Sequence, residues 1–219
     1  MNEYETEEQQ VEAVKKWLKE NFSSILFGLS AGLLALAGWN YYTSQRNNHA
    51  VEASNLYMQA VQRISQNGID DKVIDINNQL NNDFSDTPYA SITSLLLASK
   101  EYDRTRLDEA LLQLQWVVKH ASSDELKQLA TLRLSRLLIE QKKYDEAMSY
   151  LNDETHPLAY DAQYAELKGD VYVAKGQVDE ARAAYDKAIN LSGGGNKWLI
   201  LKRDNLGTDS VQQAATAAS

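Results

Sequence analysis

AELKGDVYVAKGQVDEARAAYDKAINL, residues 165–191, reads as two helices joined by a turn. Gly176 parts two proline-free runs at the place where a chain leaving a helix needs a residue that turns easily. Val178-Asp-Glu-Ala181 opens the second run, with Asp179 and Glu180 in a first turn whose dipole favours acids. Gly169 and Ala181 are small enough to let the two antiparallel helices touch, while Tyr172 and Tyr185 supply rings and Ala188 a further small residue.

The opening tetrapeptide recurs upstream. Leu107-Asp-Glu-Ala110 and Tyr144-Asp-Glu-Ala147 precede Val178-Asp-Glu-Ala181, and the alanines lie 37 and then 34 residues apart. Thirty-four is the tetratricopeptide period, and the last copy also matches that pattern at Gly169, Tyr172, Gly176, Ala181, Tyr185 and Ala188. The middle copy keeps Leu134, Ala147 and Leu151 but has Ser135 for the glycine. The first keeps Ala98, Ala110 and Leu114 and is three residues longer. With only two prolines and ten glycines in 219 residues, the expected fold class is all-α: a tetratricopeptide-like helical-repeat solenoid over residues 46–206 rather than an irregular bundle.

Downstream, Ser192-Gly-Gly-Gly-Asn196 is a joint. No strand precedes it and no Lys-Ser or Lys-Thr follows, which excludes a phosphate loop. Lys197 to Leu206 is a short apolar piece with charged flanks, expected to cover the end of the last repeat, and residues 207–219 form a tail expected to be mobile. Upstream, Ala50, Ala53, Tyr57, Ala60, Val61 and Ile64 keep a helical period until Asn67-Gly68. A short helix is then expected from Asp70 to Leu80, a polar NNDFSDTP closure follows, and Pro88 opens the next helix.

Further upstream, Asn21 to Gln45 contains no Asp, Glu, Lys, Arg or His. At about 1.5 Å per residue, roughly 20 helical residues cross a hydrocarbon core of about 30 Å, and residues 23–42, SSILFGLSAGLLALAGWNYY, supply them. Phe22 stands at one boundary and Trp39, Tyr41 and Tyr42 at the other, where amphipathic rings lie. The residues ahead of the run include Glu3, Glu5, Glu7 and Glu8, and bulky rings occupy the place of a cleavage site, so the segment reads as a retained anchor in the lipid bilayer. Lys15, Lys16 and Lys19 precede it and only Arg46 follows closely. Residues 1–22 are therefore expected in the cytoplasm and the C-terminal domain on the far side of a bacterial inner membrane, in the periplasm. Val11, Val14, Trp17, Leu18 and Phe22 mark either a short amphipathic helix at the membrane interface or a plain extension of the span. Gly28 and Gly32, continued by Ala35, put small residues on one face of the span, a surface against which a partner helix can pack closely.

Residues 1–20 hold six of the 31 acids and three of the 22 bases, which leaves the part beyond the span with a net charge of about −6. That balance argues against nucleic acid, which needs basic stripes. Without cysteine there is no disulfide, thiolate chemistry or cysteine-held metal. His49, His120 and His156 are isolated and are expected at the surface. No spacing for a metal site, a serine nucleophile or a cofactor occurs, so no enzyme and no cofactor are expected. A solenoid offers a concave wall made by the first helix of each repeat. By register that wall is expected to present Ile92, Leu95 and Ser99, then Leu129, Leu132 and Arg136, then Glu166 and Asp170. The Lys and Asn pair that would hold a terminal carboxylate is missing from these positions. An apolar, sequence-tolerant groove is expected instead, unless residues 197–206 fill it.

YETEEQQVEAVKKWLKEN (4–21), the span, GWNYYTSQ (38–45), TLRLSRL (131–137) and AELKGDVYVAKG (165–176) resemble the YfgM family, the ancillary subunit of the bacterial Sec translocon. The resemblance implies a single-pass inner-membrane protein with a periplasmic tetratricopeptide-like domain. It further implies association with the SecYEG channel and with a membrane-anchored periplasmic chaperone of the PpiD type, and help in transferring newly exported polypeptides to chaperones. The alternative is a structural scaffold for an envelope complex, binding folded partners only.

Overall fold

The computed structural model describes residues 7–153 and 155–206, with side chains from Gln10 onward; the segments 1–6 and 207–219, including the tail expected to be mobile, lie outside the described residues. Among the described residues there are helices and turns and no strand. They divide into two compact units, one ending at Glu52 and one beginning at Ala53.

Helix α1 (Glu7–Asn67) supplies the first unit and opens the second. No breaker separates Val11–Phe22 from the span, so the amphipathic stretch extends it rather than forming a helix of its own. At the far end Gly68 donates its N–H to the Ile64 carbonyl at 3.1 Å and the helix stops. Asp70 caps α2 (Asp71–Asp83) by accepting from the Val73 N–H at 2.9 Å. Arg63, from the last turns of α1, holds the same carboxylate at 3.1 Å. Helix α2 outruns its expected end at Leu80 because the next apolar residue, Phe84, is buried and donates its N–H to Leu80 at 3.0 Å. Ala53, Leu80, Phe84 and Ala90 form one small core, with Leu56, Ile76 and Tyr89 against it.

Three helical hairpins follow: α3 (Pro88–Asp103) with α4 (Leu107–His120), α5 (Asp124–Glu140) with α6 (Tyr144–Leu151), and α7 (Asp161–Ala174) with α8 (Val178–Leu191). Each repeated tetrapeptide forms the first turn of a second helix, its acids against the positive end of the dipole. The turns share one geometry. Thr105, Lys142 and Gly176 have φ of 61°, 61° and 73°. The N–H that follows reaches back to Glu101 at 2.9 Å, Leu138 at 2.8 Å and Tyr172 at 2.9 Å, closing the helix end in the same way each time. Helix α5 packs on both α3 and α7, so the first helices of the repeats stand side by side. A continuous core runs through them, from Leu95, Ala98 and Ala110 through Leu134, Leu138 and Leu151 to Leu167 and Val171, and Trp116 packs against both this core and the smaller one.

The middle repeat departs from the pattern. Helix α6 is a short eight-residue element, and Asp153 follows it in a tight turn, accepting from the Thr155 N–H at 3.0 Å and hydroxyl at 2.7 Å. These bonds hold the Asp153 carboxyl below its usual range. His156, expected at the surface, is instead half-buried: its ring stacks on Tyr164 with centroids 3.8 Å apart, and its nitrogens lie 2.6 Å from the Asp153 carbonyl and 2.9 Å from Asp161 Oδ1. One turn of 3₁₀ helix (Leu158–Tyr160) then leads into α7.

After the glycine joint, Asn196 caps α9 (Lys197–Asn205) by accepting from the N–H groups of Trp198 and Leu199 at 3.1 and 3.3 Å. Leu199 packs with Ala165, Ala188 and Ile189, and Leu206 with Ala181 and Tyr185. The segment covers the last hairpin and leaves the first two uncovered.

Candidate functional site

Among the described residues, the N-terminal helix carries the one segment long and apolar enough to cross a membrane. Its large side chains point outward, Phe27 at 78% exposure and Leu34 at 74%. Polar groups near the ends are satisfied within the helix, as lipid requires. Asn21 Nδ2 donates to the Trp17 carbonyl and Thr43 Oγ1 to the Trp39 carbonyl, each at 2.9 Å. The Arg46 guanidinium lies 5.9 Å from the Tyr42 ring centre. A Cβ added at Gly28 or Gly32 meets no atom within 4 Å, and Ala35 is exposed, so the small-residue face is open.

The residues expected on the concave wall divide into two sets. Leu95 and Leu132, at 5% and 6% exposure, are part of the core and cannot present a surface. Ile92 is half-buried, Leu129 is 37% exposed, and Ser99 and Arg136 line a cavity between α3, α4 and α5. The exposed stripe of α5 runs Leu129, Arg133, Arg136, Glu140, and Leu132 falls one position off it, turned inward. The corresponding stripe on α3 is Ile92, Leu96, Ser99, Asp103.

That cavity has a volume of about 240 Å³. Ala98, Ala110, Leu114 and Leu137 make its floor, and Ser99, Tyr102, Arg133, Arg136 and Glu140 its rim. The Tyr102 hydroxyl donates to Glu140 at 2.9 Å and ties α3 to α5; that bond to a carboxylate raises the tyrosine's pKa. Three of these rim residues, Tyr102, Arg133 and Glu140, lie off the wall expected through Leu129, Leu132 and Arg136, although a strict three-and-four spacing from Leu129 reaches Arg133 and Glu140.

In the third repeat the wall is already occupied. Lys202 of α9 lies 2.8 Å from Glu166 and 2.8 and 2.9 Å from the two oxygens of Asp170, which also accepts from the Tyr185 hydroxyl at 2.7 Å. Burial lowers the Lys202 pKa, but the two carboxylates outweigh it and leave the ammonium harder to deprotonate than usual. Burial and Asp170 push Tyr185 far upward. Among the described residues no group of three or more His, Cys, Asp or Glu side chains is placed to hold a metal ion. The cavity is smaller than the roughly 300–1,000 Å³ of small-molecule sites, so its scale suits a single side chain.

Residues 15–208 match the family profile of the tetratricopeptide repeat-like domain. The chain is 33% identical over 189 residues to the ancillary SecYEG translocon subunit of Escherichia coli K12, covering 86% of this chain and 90% of that protein. It is 27% identical over 183 residues to the protein of the same name from Haemophilus influenzae, covering 83% and 88%, and 27% identical over 211 residues to that of Neisseria gonorrhoeae, covering 91% and 97%.

Proposed function

Because the chain belongs to the family of ancillary SecYEG translocon subunits, we propose that it is a single-pass inner-membrane adaptor beside the Sec channel, helping newly exported polypeptides pass to periplasmic chaperones. The observation that carries this reading is the extent of the match, which runs from residue 15 to residue 208 and takes in span and repeats together. Residues 23–42 lie in lipid, residues 1–22 in the cytoplasm, where Lys15, Lys16 and Lys19 favour retention, and residues 46–206 in the periplasm. The open face at Gly28, Gly32 and Ala35 packs against a helix of the channel. The uncovered surface of the first two repeats, with Ile92, Ser99, Leu129 and Arg136, meets emerging chains or a membrane-anchored chaperone of the PpiD type. The work is binding rather than catalysis.

Co-purification from membranes in mild detergent tests this, comparing the intact protein with one carrying Gly28→Leu and Gly32→Leu. Channel subunits are expected with the intact protein and not with the double variant. Recovery of a different envelope complex with no channel subunits would overturn the adaptor in favour of a scaffold for folded partners.

A further inference from the structure

The junction in which a helix packs beside the preceding hairpin recurs along the repeats, and its first and last versions differ in charge. At the end of the repeats α9 lies by α7 and α8, and its Lys202 is neutralised by Glu166 and Asp170. Earlier, α5 lies by α3 and α4 and brings Arg133 and Arg136 to the cavity rim. By the repeat offset, the positions of Glu166 and Asp170 are occupied there by Leu95 and Ser99. The acids are missing. Among the described residues neither arginine makes an ion pair or a hydrogen bond, and Glu140 is engaged by Tyr102.

We propose that this pit takes an extended polypeptide segment carrying a large apolar side chain next to an acidic one. The apolar group enters between α3, α4 and α5 above the floor of Ala98, Leu114 and Leu137. The carboxylate pairs with Arg133 and Arg136, as Glu166 and Asp170 pair with Lys202. At about 240 Å³ the pit is larger than the roughly 150 Å³ apolar cavity that accepts benzene, so one leucyl or phenyl group fits. Charge narrows the choice further. Beyond the span the chain carries a net charge of about −6, so a single acid beside the apolar residue is attracted by the two rim arginines while a long acidic tract is repelled by the surroundings. The inference rests on the reading of the repeats as a polypeptide-binding surface and gives that surface a selectivity.

Fluorescence anisotropy on the full-length protein in detergent tests it. The probes are short, amidated, dye-labelled glycine-serine peptides with a central Phe-Glu, Phe-Gln or Ala-Glu, and a fourth ending in a free C-terminal Phe. Phe-Glu is expected to bind at least about fivefold more tightly than each of the others. Its advantage over Phe-Gln is expected to vanish in the Arg133→Gln, Arg136→Gln variant, whose exposed positions leave the helical circular dichroism unchanged. Ser99→Trp, filling the pit from its rim, is expected to abolish binding. Equal affinity for Phe-Glu and Phe-Gln, tighter binding of the free-carboxylate peptide, an undiminished preference in the double-arginine variant, or no binding of any peptide would each overturn the proposal. The arginine variant is also expected to retain the channel subunits on co-purification. Failed discrimination with retained channel removes the pit and leaves the adaptor, whereas discrimination without channel removes the adaptor and leaves the pit.

Discussion

A Cβ built on Gly169 would overlap the Tyr185 ring. The same two positions in the other repeats hold Ser135 with Leu151 and Ala98 with Leu114, all buried, so a Cβ on the first helix accompanies the narrower leucine on the second. Gly169→Ala gains about 1 kcal/mol of helix propensity, but forcing an atom into a closed seam costs roughly 1–3 kcal/mol, and the overlap here is direct. A lower urea midpoint is expected for Gly169→Ala, with part of the loss recovered when Tyr185→Leu is added in the same chain. Strict additivity of the two changes would show that the positions are not coupled. This seam was legible in the sequence because glycine is what close approach demands. The left-handed turns at Thr105 and Lys142 were not, since neither residue type favours positive φ and the strain of about 1–2 kcal/mol is carried by the helix-closing bonds around them. The burial of His156 has no local signal either, since the Tyr164 ring and the Asp161 carboxylate that cover it belong to α7, across the turn.

At the scale of elements, α9 is held to the last hairpin by Leu199 and Leu206 and by Lys202 between two carboxylates. Lys202 and Tyr185 both have raised pKa values in the folded chain. The unfolded chain therefore releases these protons first, from about pH 10 upward, and stability conferred by the latch is full below that pH and falls as pH rises through the folded values. Melting temperature is expected to drop more steeply above about pH 10 in the intact protein than in Lys202→Met, whose melting is lower at neutral pH but flatter in the alkaline range. Parallel curves would mean that the ion cluster does not hold α9. The sequence identified residues 197–206 as a cover by their apolar centre and charged flanks, but the pairing of Lys202 with Glu166 and Asp170 joins residues 36 and 32 positions apart and has no local signal. Leu95 and Leu132 were read outward for a different reason. Helices α3 and α5 have neighbours on several sides and are apolar over more than one stripe, so period alone does not say which leucine faces out.

At the scale of the whole molecule, the helix that supplies the span also supplies core. Ala53 and Ala60 are fully buried, Leu56 packs against Leu80, Phe84 and Ala90, and the Tyr57 and Tyr89 rings lie 5.8 Å apart. Two fragments separate an anchor's connector from a structural element. Residues 46–206 retain this helix, and residues 68–206 lose it while keeping every residue of α2 to α9. At about 25 cal/mol per Å² of apolar surface, uncovering Leu80, Phe84 and Ala90 costs on the order of several kcal/mol, a large share of the roughly 5–15 kcal/mol that holds a domain folded. The longer fragment is expected to melt cooperatively by circular dichroism and the shorter one at a clearly lower temperature, with early loss of α2 and α3. Equal midpoints would make residues 46–67 a spacer. Unequal ones make them part of the domain, and the stretch between the span and Gly68 then cannot be shortened without loosening α3, which forms one wall of the cavity at the junction of the first two repeats.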